Sequence, residues 1–298
     1  MQLPDYRAYR DLTEPARDTA QVWRLVVGLI LVAGIYLICN QLMFRTILTL
    51  LGQDAFAFFS SLNTGSTPFA MIVLLMSFGF LTLGVAIAVK VAHKRGITSV
   101  YGDVGLAVRQ FVLVLQMLVL LNVVVFVLPP WGMGMPMERN LAAGTWVMFL
   151  PFAIIAVFVQ VSAEEILFRG YIQQQLAARF RSPLIWILVP AGLFGLGHYM
   201  PQDAGENATL IALWAVVFGV LMADLTARSG TLGPAIAVHL ANNVVAIVVV
   251  SLPDSLSGLS LFLAPFSMAD ADAVRTWLPV DFAMMFVSWL AARLALRR

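Results

Sequence analysis

The sequence predicts an all-α fold: a polytopic membrane protein of about eight transmembrane helices around an intramembrane polar cavity. Three observations carry this. Hydrophobic residues make up 61% of the 298 and charged ones only 11%, where a soluble domain carries about 25% charged residues. Apolar stretches near the ~20 residues needed to cross a bilayer recur along almost the whole chain. Basic residues are dense in alternate connections, as the positive-inside rule expects.

The predicted spans are residues 22–44, 69–92, 107–129, 145–167, 184–200, 209–227, 231–252 and 278–296, the fifth and sixth being short. Residues 1–21, with Arg7, Arg10 and Arg17 among Asp5, Asp11, Glu14 and Asp18, are too long and too acidic for a cleavable signal. They read as a polar cytoplasmic tail, the first span as a retained anchor, and residues 22–298 as one transmembrane domain. Lys90, Lys94, Arg95 and Arg109 mark the second connection, Arg179 and Arg181 the fourth, Arg228 the sixth, and Arg293, Arg297 and Arg298 the end. This places both termini in the cytoplasm of an integral membrane protein, the plasma membrane being the expected location. An even count of eight fits best, with six or seven the alternatives.

The other connections read as turns: Gly52-Gln53-Asp54 and Asn63-Thr64-Gly65-Ser66-Thr67-Pro68 around a short apolar piece, and Pro129-Pro130-Trp131-Gly132-Met133-Gly134 with an interfacial Trp. Residues 253–277 read as a longer outer loop with room for an interfacial helix. The net charge of +2 comes with no basic run suited to nucleic acid, and the single Cys39 excludes an intramolecular disulfide. Asn40, Gln41, Gln116, Asn122, Gln160 and Asp224 read as residues that join helices or mark span ends, and Asp203 and Glu206 as solvated loop residues.

Three polar clusters in apolar surroundings stand apart, because an ionisable group in hydrocarbon is costly. In the fourth span Glu164 and Glu165 precede Arg169. Glu165 and Arg169 share a helix face at i, i+4, whereas Glu164 is rotated by about 100°. One carboxylate is thereby neutralised while the other faces elsewhere, the asymmetry a general base needs. In the fifth span Phe194 and His198, and in the seventh His239 and Asn243, share faces at the same spacing. A Glu pair, two imidazoles and a carboxamide form an acid/base and oxyanion kit for hydrolysing a peptide bond with activated water. No HExxH or GxGD sequence is present.

Glu164-Glu165-xxx-Arg169, Phe194-xxx-His198 and His239-xxx-Asn243, in that order on successive apolar segments, resemble the three motifs of the CAAX-protease and bacteriocin-processing family (CPBP, also called Abi). The eukaryotic Ras-converting CAAX endopeptidase belongs to that family. The resemblance covers a motif-bearing core of about residues 145–252. It implies an intramembrane endopeptidase acting on a membrane-associated peptide or protein, CAAX-type or other. By this resemblance Glu164 is the water-activating base, and Glu165 and Arg169 orient and neutralise the first motif. His198 would assist Glu164, while His239 and Asn243 stabilise the oxyanion and Phe194 packs. Glu164, His198 and His239 are also available as zinc ligands. With two histidines and no spare acid to support them, no cofactor is the favoured expectation. Two other classes compete with the enzyme: a non-catalytic membrane scaffold or immunity-type relative, and a proton-coupled transporter. The latter is weakened by the absence of an internal repeat.

One difficulty is visible in the sequence. Straight spans at 1.5 Å per residue put Glu164 near the inner side and His198 near the outer side. Some irregularity must bring them level: a bend at Pro190, residues 182–189 along the interface, or a fourth span that continues past Arg169.

Overall fold

The computed structural model describes residues 6–129 and 136–298, so most of the turn expected over Pro129–Gly134 lies outside the described residues. The chain is an all-α polytopic membrane protein. Six helical stretches are long and apolar enough to cross a membrane: Val22–Thr64, Pro68–His93, Val104–Val127, Ala143–Arg179, Pro201–Ser229 and Ala271–Leu296. Two shorter apolar helices, Pro183–Gly197 and Gly233–Val249, stand where the fifth and seventh spans are expected. The sixth stretch is thus longer than the sequence suggested and the seventh shorter. The seventh ends at Val250 because the chain there leaves the helix for an extended segment.

In chain order the α-helices are α1 (Tyr9–Thr13), α2 (Val22–Leu51), α3 (Ala55–Thr64), α4 (Pro68–Ser77), α5 (Gly79–His93), α6 (Val104–Val127), α7 (Ala143–Glu165), α8 (Gln174–Arg179), α9 (Pro183–Gly197), α10 (Pro201–Ala204), α11 (Ala208–Ser229), α12 (Gly233–Asn243) and α13 (Ala271–Leu296). The apolar piece after Gly52 is helical, as α3, and lies between two glycines of positive φ, Gly52 and Gly65.

Burial separates the helices by role. Only 11% of the most apolar windows of α6 and α13 is buried, against 50% for the stretch containing α11. Ile30, Leu50 and Phe56 are among many large apolar side chains left exposed, which suits a surface whose solvent is lipid. Helix α12 lies inside, packed on α6, α7 and α11, and α9 packs on α11. The approach of α12 to α6 is close: a Cβ on Gly233 would run into the backbone carbonyl of Ala107.

One expectation needs correction. Residues 253–270 hold no helix. Instead, strands β1 (Glu138–Arg139), β2 (Val250–Ser251) and β3 (Phe262–Leu263) form a small sheet in the order β1-β3-β2. Asn140 ties it together, its Nδ2 donating to the carbonyls of Ser257 (2.7 Å) and Ser260 (3.1 Å). Helix α13 accordingly begins at Ala271, inside the expected loop, with the Asp270 carboxylate accepting from the Ala273 amide as its cap. The polar N-terminal segment is docked on the bundle over residues 6–19. Helix α1 and the 3-10 turn Glu14–Thr19 pack across the end of the bundle, burying Tyr9, Leu12 and Ala16. Tyr6 donates to Asp224 Oδ1 at 2.8 Å, and Asp224 Oδ2 accepts from Arg228 (2.7 Å) and Trp289 (3.1 Å). Asn40 and Asn122 each donate to a carbonyl of their own helix, Tyr36 and Leu118, four residues back.

Candidate active site

The level mismatch foreseen from the sequence disappears because the helix of the first motif does not stop. It runs from Ala143 to Arg179 in one stretch. Arg179 lies fifteen positions past Glu164, and His198 fifteen positions past Pro183, the first residue of α9. Helices of equal length on either side of a short connection bring Glu164 and His198 to one level, about 22 Å from the turn.

The stretch is not uniform. After Glu165 it widens into a π-helix over Ile166–Gln173 before α8 restores the α pitch. A second π-helix, Val244–Val249, follows Asn243 directly. Widened turns of this kind concentrate at functional sites, because they re-aim side chains and free carbonyls. The Val248 carbonyl is taken by Trp146 Nε1 at 2.8 Å. In the first π-helix, Gly170 permits close packing: a Cβ there would stand 2.9 Å from the Val100 carbonyl and 3.0 Å from Leu232. Its neighbour Tyr171 is anchored by its hydroxyl, which shares a 2.9 Å hydrogen bond with His93 Nε2.

The two glutamates have different surroundings. Glu165 is sealed, with no exposed surface. Its Oε1 accepts from Arg169 Nη1 at 3.0 Å and bonds His239 Nδ1 at 2.8 Å. Glu164 lies at the margin, with 11% of its side chain exposed, and its Oε2 stands 3.5 Å from His239 Nε2. His239 therefore bridges the pair. At 3.5 Å the Glu164 side of the bridge is a proximity, with no hydrogen bond formed on Oε2 among the described residues.

Arg169 is fully buried. Its guanidinium carbon lies 4.7 Å from the centre of the Phe194 ring and 5.8 Å from that of Phe168, contacts worth about 0.5–2 kcal/mol each when desolvated. Phe194 also meets Phe218 and His239, each at 6.0 Å between centroids. Phe218 approaches His239 edge-on at 4.9 Å. Phe194 is therefore more than filler: it walls the guanidinium and the imidazole away from lipid.

Asn243 lies one helical turn beyond His239, and its Nδ2 donates to Gln160 Oε1 at 3.0 Å. Gln160 lies one turn before Glu164 on α7. The antiparallel α7 and α12 thus face each other through two rungs, Gln160–Asn243 and Glu164–His239. Asn242 Nδ2 donates to Asn243 Oδ1 at 3.2 Å. His198 is placed apart. Its Nδ1 bonds the Phe194 carbonyl at 2.8 Å, and its ring lies 4.4 Å from that of Phe194. Among the described residues no hydrogen bond joins it to either glutamate.

The structure thus gathers Glu164, Glu165, Arg169, His239 and Asn243 directly, and His198 through one aromatic ring. It adds Gln160, read from the sequence as a helix-joining residue and found joining α7 to α12, and Phe218, which the sequence reading passed over. Gln160 also lies at i, i+4 spacing from Glu164. Phe218 carried no signal beyond being an aromatic in an apolar helix. The proposed zinc ligands Glu164, His198 and His239 do not converge. Among the described residues no three His, Cys, Asp or Glu side chains are placed to hold a metal ion. Two clefts, of about 510 and 370 Å³, lie beside residues 6–17.

Comparison with known proteins bears on the same region. Residues 146–245 match the family model described as type II CAAX prenyl endopeptidase Rce1-like. The chain is also 24% identical, over 236 residues, to the uncharacterized protein YyaK of Bacillus subtilis (strain 168), covering 77% of this chain and 78% of that one. No solved structure matches. The matched segment contains all three motifs, and across it the chain is similar to the Rce1-like CAAX endopeptidases of the CPBP family.

Proposed function

We propose that this chain is an intramembrane endopeptidase of the CAAX type, hydrolysing a peptide bond of a membrane-associated substrate with water activated by Glu164. The observation that carries the proposal is the unequal pair of glutamates. Glu165 is committed on one oxygen to both Arg169 and His239, whereas Glu164, with 11% of its side chain exposed, has no hydrogen bond on Oε2 among the described residues and one imidazole nitrogen 3.5 Å from it.

Glu164 takes a proton from water, and the water oxygen bonds to the substrate carbonyl carbon. The oxyanion that forms accepts hydrogen bonds from the Asn243 amide and from protonated His239. The C–N bond then breaks as Glu164 delivers its proton to the leaving amine, giving one new carboxylate and one new amine. Glu165, itself held by Arg169, orients the His239 ring through Nδ1. Gln160 holds the Asn243 amide, leaving its second N–H for substrate. His198 shields the cluster from behind Phe194 and acts on Glu164 only after its ring turns. The reaction so written needs no metal or other cofactor, and its partners are the bilayer and a peptide or protein substrate within it, not nucleic acid. The alternating arginines favour an orientation with both termini in the cytosol of the plasma membrane.

The test is cleavage of a membrane-peptide library, prenylated and unprenylated, by the purified full chain in proteoliposomes. Wild type cleaves, Glu164→Gln does not, and a chelator changes nothing. Cleavage lost to chelation and restored by zinc overturns the metal-free chemistry. Retained cleavage in Glu164→Gln overturns the choice of base. A folded protein that cleaves nothing in the library favours the scaffold reading, and one that carries protons across the vesicle wall favours the transporter.

A further inference from the structure

The arginines of residues 6–17 are exposed, and they converge on one cleft. Arg7, Arg10, Arg17 and Arg181 line the 510 Å³ cleft, whose floor includes Tyr9 and Trp186. The adjoining 370 Å³ cleft shares Arg17 and Arg181 and adds Arg179. Among the described residues no acidic side chain lines either one. Arg17 is paired to Glu14 at 2.9 Å. The floor is built and aromatic: Trp186 is buried beneath Tyr6 and Tyr9, with centroids 5.4 and 5.1 Å away.

The position of the clefts selects the ligand. Their wall includes Pro183, where α9 enters the apolar part of the protein. On α9, Leu184 and Leu188 lie one turn apart and are both exposed, so an apolar track leads away from the arginines along the helix. A free anion has use for the arginines alone. A molecule with an anionic phosphate head and acyl tails uses both, and arginine is the side chain best suited to phosphate oxygens.

We infer that the arginine-lined cleft between residues 6–17 and the start of α9 binds the headgroup of an anionic phospholipid, whose chains lie along Leu184 and Leu188. None of these residues belongs to the carboxylate cluster, so the inference holds whether or not the chain is a protease. A bound headgroup bridges the N-terminal segment to the α8–α9 connection and fastens that segment to the bundle.

The experiment uses the purified full chain in neutral detergent, titrated with dioctanoyl phosphatidylglycerol, dioctanoyl phosphatidylcholine or inorganic phosphate. Retention is read by native mass spectrometry and stabilisation by thermal unfolding. Phosphatidylglycerol is expected to bind and raise the unfolding temperature, and phosphatidylcholine to do neither. Replacing two arginines, Arg10→Gln with Arg181→Gln, should weaken binding by about thirtyfold, the share expected of two basic residues at an anionic surface. Arg10→Lys with Arg181→Lys should recover most of it, and Arg45→Gln, elsewhere in the fold, should change nothing. If the double Gln variant does not fold, Arg181→Gln alone carries the test, with about a fivefold loss expected. Equal binding by the Gln variants, or equal binding of the two lipids, overturns the inference. Inorganic phosphate stabilising as strongly as phosphatidylglycerol overturns the lipid as source and leaves a soluble anion in its place.

Discussion

Replacing Glu165 with Gln should damage the fold far more than the same change at Glu164, although the residues are adjacent. In the sealed position, Gln leaves the fully buried Arg169 without its carboxylate and His239 Nδ1 without a charged partner. Breaking one side of a buried ion pair costs about 3–5 kcal/mol. A loss of that size is a large share of the total stability of a folded protein, about 5–15 kcal/mol. At Glu164 the only partner among the described residues is His239 Nε2 at 3.5 Å, too long for a strong hydrogen bond, so Gln should cost under about 1 kcal/mol. The assay is reversible unfolding in mixed micelles, with cleavage measured on the same preparations. Glu164→Gln should unfold like wild type yet lose at least about a hundredfold in kcat. Glu165→Gln combined with Arg169→Met removes both charges and should regain most of the lost stability. Equal destabilisation by the two single variants, or no recovery in the double one, refutes the division of labour between the carboxylates.

Three further outcomes follow from the same geometry. Gln160→Leu removes the acceptor that holds the Asn243 amide; it should lower kcat about tenfold, the worth of one oriented hydrogen bond, with KM little changed in steady-state cleavage. Gly233→Ala drives a methyl group into the Ala107 carbonyl and should cost about 1–3 kcal/mol by forcing α12 from α6, measured as a shift in the unfolding midpoint. Burial, and then the neighbouring Asp224 carboxylate, push the Tyr6 phenol above its ordinary value of 10.0. Its folded value exceeds its unfolded one, so its contribution is whole below pH 10 and is lost as pH rises beyond it. Proteolysis of the N-terminal segment should therefore accelerate above pH 10 in wild type, and Tyr6→Phe should flatten that rise.

The sequence alone was enough for the membrane class, because each apolar stretch reports its own solvent without reference to the rest of the chain. It also marked the motif residues, since polar side chains in oily helices are conspicuous one helix at a time, and i, i+4 spacing reveals which share a face. Contacts between helices were not legible. That His239 bridges both glutamates, that Gln160 grips Asn243, and that Phe218 walls the imidazole depend on the register of α7, α11 and α12. The shift to π geometry after Glu165 and Asn243, and the docking of residues 6–19 onto the bundle, likewise satisfy partners hundreds of positions away or on other helices. Composition and periodicity are local sums and carry no term for such partners. Only the packed bundle decides which of two adjacent carboxylates is sealed and which is left at the edge.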